Sequence, residues 1–358
     1  MNPPQIFSTP QRTTASLALP NFQLEKESPI EKLAALLWGA HRHMREGLRH
    51  ALAHRSMSAL SAAAATIEVD TIFGIDQIAE QHLFEYLQTH EHEAPAFVLV
   101  GEFEAGEILK FGQGEPQFRV LFDPIDGTRL VMFAKSSGWI LSGIFPEHGE
   151  ATRLSETLFA VQTEIPLPKY LYSDTLWAAP NRGAYRLVEN LLTQEASTSP
   201  GRVEAAADLR HSFISFVNFF QHGKAAMAAV EEEFLRHALA EYATNPALVF
   251  EDQHLSTAGQ LYALVAGQEK IVVDIRPNMN HLLRRKGQAT MLCSHPYDFA
   301  TWLIAREAGA AILTPSGDPF EAPAIANAEI GWIGFANQKL AEQYRPLLLE
   351  VLHRHELI

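Results

Sequence analysis

The chain has 358 residues, of which 47% are apolar and 20% are charged, so it can bury a large core and is not a disordered protein. Acids outnumber bases by 42 to 28, and the formal net charge is −14. Because net negative charge repels phosphate backbones and anionic headgroups, the composition argues against nucleic acid or a membrane as the main partner. The sequence also contains no apolar run near the roughly 18 residues of a membrane span.

Cysteine usage and the N-terminal composition bear on the compartment. The chain contains one cysteine, Cys293, so an internal disulfide is impossible, which suits a reducing cytoplasm. The N-terminal residues lack a basic stretch followed by an apolar core, so we do not expect a secretory signal. Residues 1–27 are rich in Pro, Thr, Ser and Gln, and we expect them to form a flexible, loosely attached arm.

The first predicted helix follows this arm. Ser28 is a good helix cap and Pro29 fits the first turn, so a helix is predicted from there to about His54. Histidines recur along it and alternate with arginines, a pattern that we interpret as a solvated face rather than a metal site. These histidines are His41, His43, His50 and His54.

The other predicted elements mix helices with strands. Apolar periodicity predicts helices over residues 76–88, 185–192, 225–242, 258–266 and 296–308. Short apolar runs predict strands over residues 96–100, 118–122, 139–145 and 271–274. This mixed order indicates a layered α/β or α+β architecture rather than a bundle or sandwich. For the phenylalanine-rich segment 211–250, core packing is favoured over a subunit interface or a substrate lid.

The most informative stretch reads Asp-Pro-Ile-Asp-Gly-Thr, from Asp123 to Thr128, directly after a predicted strand. Two carboxylates three residues apart, with the carbonyl of Ile125 between them, offer oxygen ligands that suit a hard cation such as Mg²⁺. Gly127 permits an unusual backbone angle or the close approach of a ligand. Taken alone, the motif is as consistent with a solvent-facing turn between two strands.

Two further acids lie at the ends of predicted elements. Glu102 follows the predicted strand 96–100, and Asp298 opens the predicted helix 296–308. Each has an ordinary explanation as well, because Glu102 suits a surface position and Asp298 is a first-turn acid favoured by the helix dipole. Only their combination with the 123–128 motif is informative.

In combination, these residues resemble the inositol monophosphatase and fructose-1,6-bisphosphatase superfamily of Mg²⁺-dependent, lithium-sensitive phosphatases. The similarity spans about residues 30–335 and is carried by the segments 123–128, 296–309, 256–258 and 272–274, with Glu102 and Asp76 upstream. The resemblance implies a layered α/β/α/β fold. Residues 28–165 would form an N-terminal α+β half with most metal ligands, and residues 166–358 a C-terminal α/β half that completes the site.

The resemblance also implies roles at the matching positions. Two or three Mg²⁺ ions would be held by Glu102, Asp123, Ile125, Asp126 and Asp298. Asp76 and Thr128 would orient or deprotonate the attacking water. The substrate would be bordered by Gly127, Thr128, Arg129, Ser256, Thr257, Ala258 and Asp274. Because relatives are commonly dimers, a homodimer is expected.

The sequence departs from the family pattern after Glu102. A second acid usually follows this ligand, but Phe103 stands there, and Glu104 is the nearest substitute. Candidates for binding a second anionic group are Lys135, Arg182 and Lys224, and nothing in the sequence selects among them. The third-metal position is therefore left open.

The expected activity is the Mg²⁺-dependent hydrolysis of a phosphate monoester of a small polyol or sugar, similar to that of an inositol monophosphatase. Fructose-1,6-bisphosphatase and 3′-phosphoadenosine phosphatase activities are alternatives, because substrate choice depends on the least similar segment. A non-catalytic protein that binds metal or sugar phosphate is an alternative of another class, as is a structural subunit that self-associates through the phenylalanine-rich segment.

Overall fold

The computed structural model describes residues 19–67, 70–206, 208–242 and 247–358. Its helices are α1 (Pro29–His54), α2 (Met57–Leu60), α3 (Gly74–His90), α4 (Thr128–Met132), α5 (Lys224–Ala238), α6 (Thr257–Val265), α7 (Arg276–Arg285), α8 (Trp302–Ala308) and α9 (Gln338–Arg354). Its strands are β1 (Ala63–Ile67), β2 (Asp70–Phe73), β3 (Phe97–Val100), β4 (Ile108–Phe111), β5 (Phe118–Asp126), β6 (Gly138–Pro146), β7 (Phe159–Ile165), β8 (Tyr172–Ala178), β9 (Ala184–Asn190), β10 (Ala196–Gly201), β11 (Ser212–Phe216), β12 (Val249–Glu251), β13 (Glu269–Asp274), β14 (Ala311–Leu313) and β15 (Trp332–Phe335).

Two sheets form the framework. The larger sheet has the strand order β10-β9-β8-β7-β6-β5-β3-β4, and its strands pair antiparallel except for β3 and β5. The smaller sheet has the order β12-β11-β13-β15-β14, with β11 parallel to both of its neighbours. A separate two-stranded sheet is formed by β1 and β2.

The helices pack in layers around the two sheets. Helices α1 and α3 cover the larger sheet and close one apolar core over it. Helices α6 and α8 contact both sheets, and the second core extends from the larger sheet through the smaller one. Helices α5 and α9 pack against each other and against β11 and β15, adding a further helical layer. The predicted α/β/α/β layering is confirmed, and α5 and α9 add a fifth layer to it.

The described part of the N-terminal segment is held by an aromatic contact. Phe22 is buried, and its ring packs edge-on against Trp38, Phe159 and Trp177. The rest of the predicted arm, residues 1–18, lies outside the described residues. Within the described residues, we find no helix that is both long and apolar enough to cross a membrane.

Three predicted helices differ from the structure. Residues 185–192 form most of strand β9, because β8 and β10 pair with it on both sides and occupy its backbone hydrogen bonds. The predicted helix 225–242 ends at Ala238 and is followed by a 3-10 turn, Ala240–Tyr242. The predicted helix 296–308 is divided into a 3-10 turn, Pro296–Phe299, and α8.

The solvated-face interpretation of the α1 histidines is wrong for His41. This ring is fully buried between α1 and the larger sheet, and its nitrogens hydrogen-bond to Thr163 Oγ1 and Ser142 Oγ, each at 3.0 Å. Burial lowers the pKa of His41 to about 3, so the imidazole is neutral at physiological pH. Arg45 is also buried, and it pairs with Glu189 of β9 at 2.6 Å.

Candidate active site

Asp123 and Asp126 lie at the end of β5 and come together through an irregularity in that strand. Side chains alternate along a regular strand, so residues three apart would face opposite sides. Here Asp123 pairs with Leu141 and Asp126 with Trp139, so β5 carries one extra residue in a β-bulge. The bulge brings a carboxylate oxygen of each aspartate within 4.8 Å of the other.

Glu102 is placed beside this bulge by the parallel pairing of β3 with β5. Val100 lies opposite Leu121 in that pairing, so Glu102, two residues further on, comes level with Asp123. The Glu102 carboxylate accepts a hydrogen bond of 2.9 Å from the hydroxyl of Tyr297. Both Glu102 and Asp123 line the same cavity.

Asp298 also lines the cavity and lies on the 3-10 turn Pro296–Phe299. Its Oδ2 accepts a hydrogen bond of 2.7 Å from the backbone N–H of His295, which orients the carboxylate. Asp298 thereby joins Asp123 and Asp126 in a group whose carboxylate oxygens all lie within 4.8 Å of one another. This group, Asp123, Asp126 and Asp298, is called the carboxylate cluster below.

Burial and mutual repulsion hold protons on the carboxylate cluster. Burial and then the charge of Asp298 raise the pKa of Asp126 to about 8. Burial also raises the pKa of Asp298 to about 7, and burial together with Asp126 raises that of Asp123 well above its usual value. Neighbouring carboxyl groups with raised pKa values suit a divalent cation, because its positive charge would lower those pKa values again. Among divalent cations, oxygen donors favour Mg²⁺.

Thr128 and Asp76 meet beside the cluster, although 52 positions separate them in the sequence. Thr128 Oγ1 lies 3.1 Å from Asp76 Oδ1 and 2.9 Å from the carbonyl oxygen of Ile125. Asp76 stands in the first turn of α3, and its other oxygen accepts the Phe73 N–H at 2.8 Å. Since a hydroxyl carries one proton, Thr128 donates to one of the two acceptors at a time.

Gly127 joins β5 to α4 in a left-handed conformation, with φ of 88°. A side chain is disfavoured there, and a Cβ would also lie 3.1 Å from the Cβ of Ser256. Gly127, Thr128 and Arg129 all line the cavity. The guanidinium of Arg129 also lies over the ring of Phe73, 5.5 Å from its centre.

The segment Ser256–Ala258 contacts the cluster through Asp126. Ser256 Oγ donates to Asp126 Oδ2 at 2.9 Å, and the backbone N–H of Ala258 donates to the same oxygen. Ser256 and Thr257 line the cavity, and Thr257 Oγ1 lies 2.8 Å from Ser294 Oγ. Ser256 and Thr257 therefore lie where a substrate-bordering role is possible, whereas Ala258 is buried, does not line the cavity and reaches Asp126 only through its backbone N–H.

Asp274 does not line the cavity, in contrast to the sequence-based expectation. It is fully buried, and both of its oxygens accept hydrogen bonds from Arg276, at 2.8 and 2.6 Å. Arg276 lines the cavity instead, beneath the rings of Phe219 and Phe220. The buried ion pair explains the difference, because a carboxylate that neutralises a neighbouring arginine inside the core is not available to a ligand.

Glu80 is a cavity residue that the sequence analysis missed. It lines the cavity, and both of its oxygens lie within hydrogen-bond distance of the Glu104 N–H, at 3.1 and 3.2 Å. Burial raises the pKa of Glu80 to about 7. Its position one helical turn after Asp76 is the signal that was available. Glu104, the suggested substitute acid, is exposed and accepts a hydrogen bond from Gln77 instead.

The other candidates for binding an anion lie elsewhere. Lys135, Arg182 and Lys224 are exposed, and none of these three described residues lines the cavity. Two aromatic residues of segment 211–250, Phe219 and Phe220, do line the cavity, and their rings pack edge-on against each other.

Comparisons with known proteins agree with this fold. No protein-family model matches the sequence. No curated protein matches it either. Several solved structures are similar to this one. A fructose-1,6-bisphosphatase from Leishmania major superimposes with a TM-score of 0.67 and is 13% identical in sequence, and the match covers 92% of this chain and 96% of that one. A hypothetical protein from Pyrococcus horikoshii, described as similar to inositol-1 monophosphatase, has a TM-score of 0.58 and 19% identity, over 89% and 98%. An inositol monophosphatase from Anabaena has a TM-score of 0.55 and 14% identity, over 90% and 97%.

The two sheets with their helical layers define a layered α/β protein, and its cavity holds a group of acidic side chains that could bind a metal ion. More specifically, the chain has the fold of the inositol monophosphatase and fructose-1,6-bisphosphatase superfamily, and the resemblance seen in the sequence is confirmed for the fold.

Proposed function

We propose that the chain is a Mg²⁺-dependent phosphatase that hydrolyses a phosphate monoester of a small polyol or sugar, as an inositol monophosphatase does. One observation carries the proposal: the carboxylate cluster and the Thr128–Asp76 pair border the same cavity. The similar structures support it, because their names describe phosphatases or a protein likened to one.

The proposed ligands of two or three Mg²⁺ ions are Glu102, Asp123, the carbonyl of Ile125, Asp126 and Asp298. All five residues line the cavity, and their donors are oxygen atoms throughout. When bound, Mg²⁺ would neutralise charge on the phosphate and stabilise the leaving oxygen. The chain's net charge of −14 does not oppose this, because the loaded site would present positive charge locally.

Thr128 and Asp76 would activate the attacking water. Thr128 Oγ1 would accept a hydrogen bond from that water while it donates its own proton to Asp76 Oδ1, 3.1 Å away. The proton released by the water would thus move through the hydroxyl to the Asp76 carboxylate. Asp76 is held in place for this role by the Phe73 N–H.

The phosphate and the alcohol part of the substrate would lie along the rest of the cavity. Backbone N–H groups of Gly127 and Thr128, at the start of α4, are suited to phosphate oxygens, and Arg129 is placed to add a charged contact. Ser256, Thr257 and Arg276 border the cavity from the C-terminal half and would face the polyol. The buried Asp274 would act there only by orienting Arg276.

The direct test is a screen for phosphate release with added Mg²⁺. Inositol monophosphates, hexose monophosphates and bisphosphates, and 3′-phosphoadenosine derivatives are supplied in turn, with and without a chelator and lithium. We expect release from at least one polyol or sugar phosphate that stops on chelation and is inhibited by lithium. Release that persists after exhaustive chelation contradicts the metal-dependent proposal, and release from none of the substrates supports the non-catalytic binding protein.

A fructose-1,6-bisphosphatase activity is the second candidate. It is favoured by the TM-score of 0.67 to the Leishmania major enzyme, which exceeds the 0.55 to the Anabaena inositol monophosphatase. Arg129 also borders the cavity and offers a cation to one of the two phosphates of such a substrate. The ratio of kcat/KM for fructose 1,6-bisphosphate to that for inositol 1-phosphate distinguishes the two candidates.

The assembly and compartment remain part of the proposal. We propose a cytoplasmic homodimer, since only one cysteine is present and the chain resembles a superfamily whose members commonly form dimers. Light scattering of the purified chain at several concentrations tests the dimer, because a monomer mass throughout contradicts it.

A further inference from the structure

Helices α1 and α3 pack closely along a seam outside the cavity. Two glycines of α1, one turn before and one turn after His43, let aromatic side chains of α3 approach its backbone. A Cβ at Gly47 would overlap the ring of His82, and a Cβ at Gly39 would overlap that of Tyr86. The positions of these two α3 rings are therefore set by helix packing rather than by solvent.

His43 fills the space between those rings. Its ring centre lies 5.1 Å from that of His82 and 5.6 Å from that of Tyr86. His43 Nε2 is 3.3 Å from His82 Nδ1, and the same His82 nitrogen is 3.9 Å from Glu85 Oε2. One ligand atom from each of His43, His82 and Glu85 lies within 4.8 Å of the others.

We propose that His43, His82 and Glu85 form a second metal site that binds Zn²⁺. Two nitrogens bound to one tetrahedral Zn²⁺ at about 2.0–2.1 Å are roughly 3.3–3.4 Å apart, which agrees with the separation of the two imidazoles. Two imidazoles and one carboxylate are ligands that Zn²⁺ accepts, whereas Mg²⁺ and Ca²⁺ prefer oxygen donors throughout. None of the three residues lines the catalytic cavity, so this site is separate from the carboxylate cluster.

The surroundings of the three side chains suit a ligand role. Glu85 Oε1 accepts a hydrogen bond of 2.7 Å from Gln81 Nε2, which leaves Oε2 on the side of His82. A bound ion would replace the hydrogen bond between the two imidazoles and link α1 to α3, so it would stabilise the fold.

The test is a calorimetric titration of the tag-free chain with Zn²⁺ in saturating Mg²⁺, which would occupy the carboxylate cluster. We expect one Zn²⁺ per chain, a loss of affinity of about 100-fold or more for His43→Ala or His82→Ala, and about tenfold or more for Glu85→Gln. The matched control is His50→Ala with His54→Ala, which removes another pair of α1 imidazoles whose rings are 4.4 Å apart. This control should keep the wild-type affinity.

A second readout uses Co²⁺ in place of Zn²⁺. We expect the intense visible absorption of tetrahedral Co²⁺ in the wild type and its loss in Glu85→Gln, whose exposed side chain makes misfolding an insufficient explanation. Unchanged Zn²⁺ affinity in the His82→Ala and Glu85→Gln variants overturns the proposal, as does an equal loss in the His50/His54 control. Neither readout depends on hydrolysis, so this site and the proposed phosphatase activity succeed or fail separately.

Discussion

The hydroxyl of Thr128 lies 3.1 Å from a carboxylate oxygen of Asp76, and this contact joins the start of α4 to the first turn of α3. Each residue has a second anchor: Thr128 reaches the Ile125 carbonyl at 2.9 Å, and Asp76 accepts the Phe73 N–H at 2.8 Å. The pair is therefore oriented before any substrate arrives, as a proton-transfer pathway requires.

Replacing Thr128 tests that pathway. Thr128→Val keeps the shape but removes the hydroxyl, so we expect kcat to fall by about 100- to 1,000-fold, while Thr128→Ser retains most activity. Asp76→Asn should lower kcat similarly, and the double variant should be little worse than either single one because the two groups act as a unit. Equal activity of Thr128→Val and Thr128→Ser would contradict the proposed proton transfer.

Replacing Asp126 tests the metal ligands without disturbing the fold. In Asp126→Asn the amide oxygen still accepts the hydrogen bonds from Ser256 Oγ and the Ala258 N–H. We expect hydrolysis to be abolished and the Mg²⁺-induced rise in melting temperature to be lost, while the metal-free protein is at least as stable as the wild type. Thermal shift with and without Mg²⁺ measures this, and Asp208→Asn, a change at an exposed ion pair, is the control.

The affinity for Mg²⁺ should depend on pH. With the pKa of Asp126 at about 8 and that of Asp298 at about 7 in the metal-free protein, a cation must displace protons from both below pH 7. We expect Mg²⁺ affinity to fall by about tenfold or more per pH unit below pH 7 and to level off above pH 8. Calorimetry between pH 6 and 8.5, in buffers of different ionisation enthalpy, counts the released protons; a constant affinity over this range would refute the coupling.

Removing the hydroxyl of Tyr297 tests whether that group holds Glu102 in position. This hydroxyl donates to Glu102 Oε2 at 2.9 Å, and the Tyr297 ring stacks on that of His295. In Tyr297→Phe the stacking is kept but the donor is lost, so we expect the Mg²⁺ concentration for half-maximal activity to rise by about 10- to 100-fold. Mg²⁺ titrations of the hydrolysis rate measure the change. Tyr242→Phe, at an exposed tyrosine, should leave the Mg²⁺ requirement unchanged.

Glu269 makes a pH-dependent contribution to stability. Burial raises its pKa from 4.5 to about 8, and Ser215 Oγ lies 2.9 Å from Oε1. Since the folded protein favours the protonated form, this contribution is complete below pH 4.5 and is lost as pH rises towards 8. Glutamine imitates the protonated carboxyl, so we expect Glu269→Gln to raise the free energy of unfolding by about 2–4 kcal/mol at pH 8.5, at about 1.4 kcal/mol per pKa unit.

Denaturant unfolding at pH 4.5 and pH 8.5 measures this difference. At pH 4.5 the glutamine variant and the wild type should unfold alike. The control is Glu342→Gln, at an exposed glutamate of α9, which should show no difference at either pH. A lower stability of Glu269→Gln than of the wild type at pH 8.5 would contradict the raised pKa of Glu269.

The sequence alone sufficed for the layered fold and for the acidic residues that the structure brings together. These signals are local: Asp123 and Glu102 each follow an apolar strand, Asp298 follows a proline at the start of a helical segment, and the 123–128 motif lies within a few residues. Because parallel strands place their ends at one edge of a sheet, acids at such ends meet whenever the strands pair. The roles assigned to these residues stay predictions until the variants are measured.

Other features depended on which residues meet across the fold. Segment 185–192 is helical by its own periodicity, but β8 and β10 occupy its hydrogen bonds on both sides and make it a strand. Likewise, nothing within the local sequence of Asp274 shows that its carboxylate is turned inward to Arg276.

The contacts between α1 and α3 also depend on tertiary packing. The sequence of α1 shows a histidine-rich helix, but only its packing decides that His41 is buried against the sheet and that His43 meets His82. A local pattern records the preference of each residue for a helix, a strand or burial. It does not reveal which residue each side chain will contact across an interface. That partner is set when the helices and sheets pack, and it determines the chemistry available to the side chain.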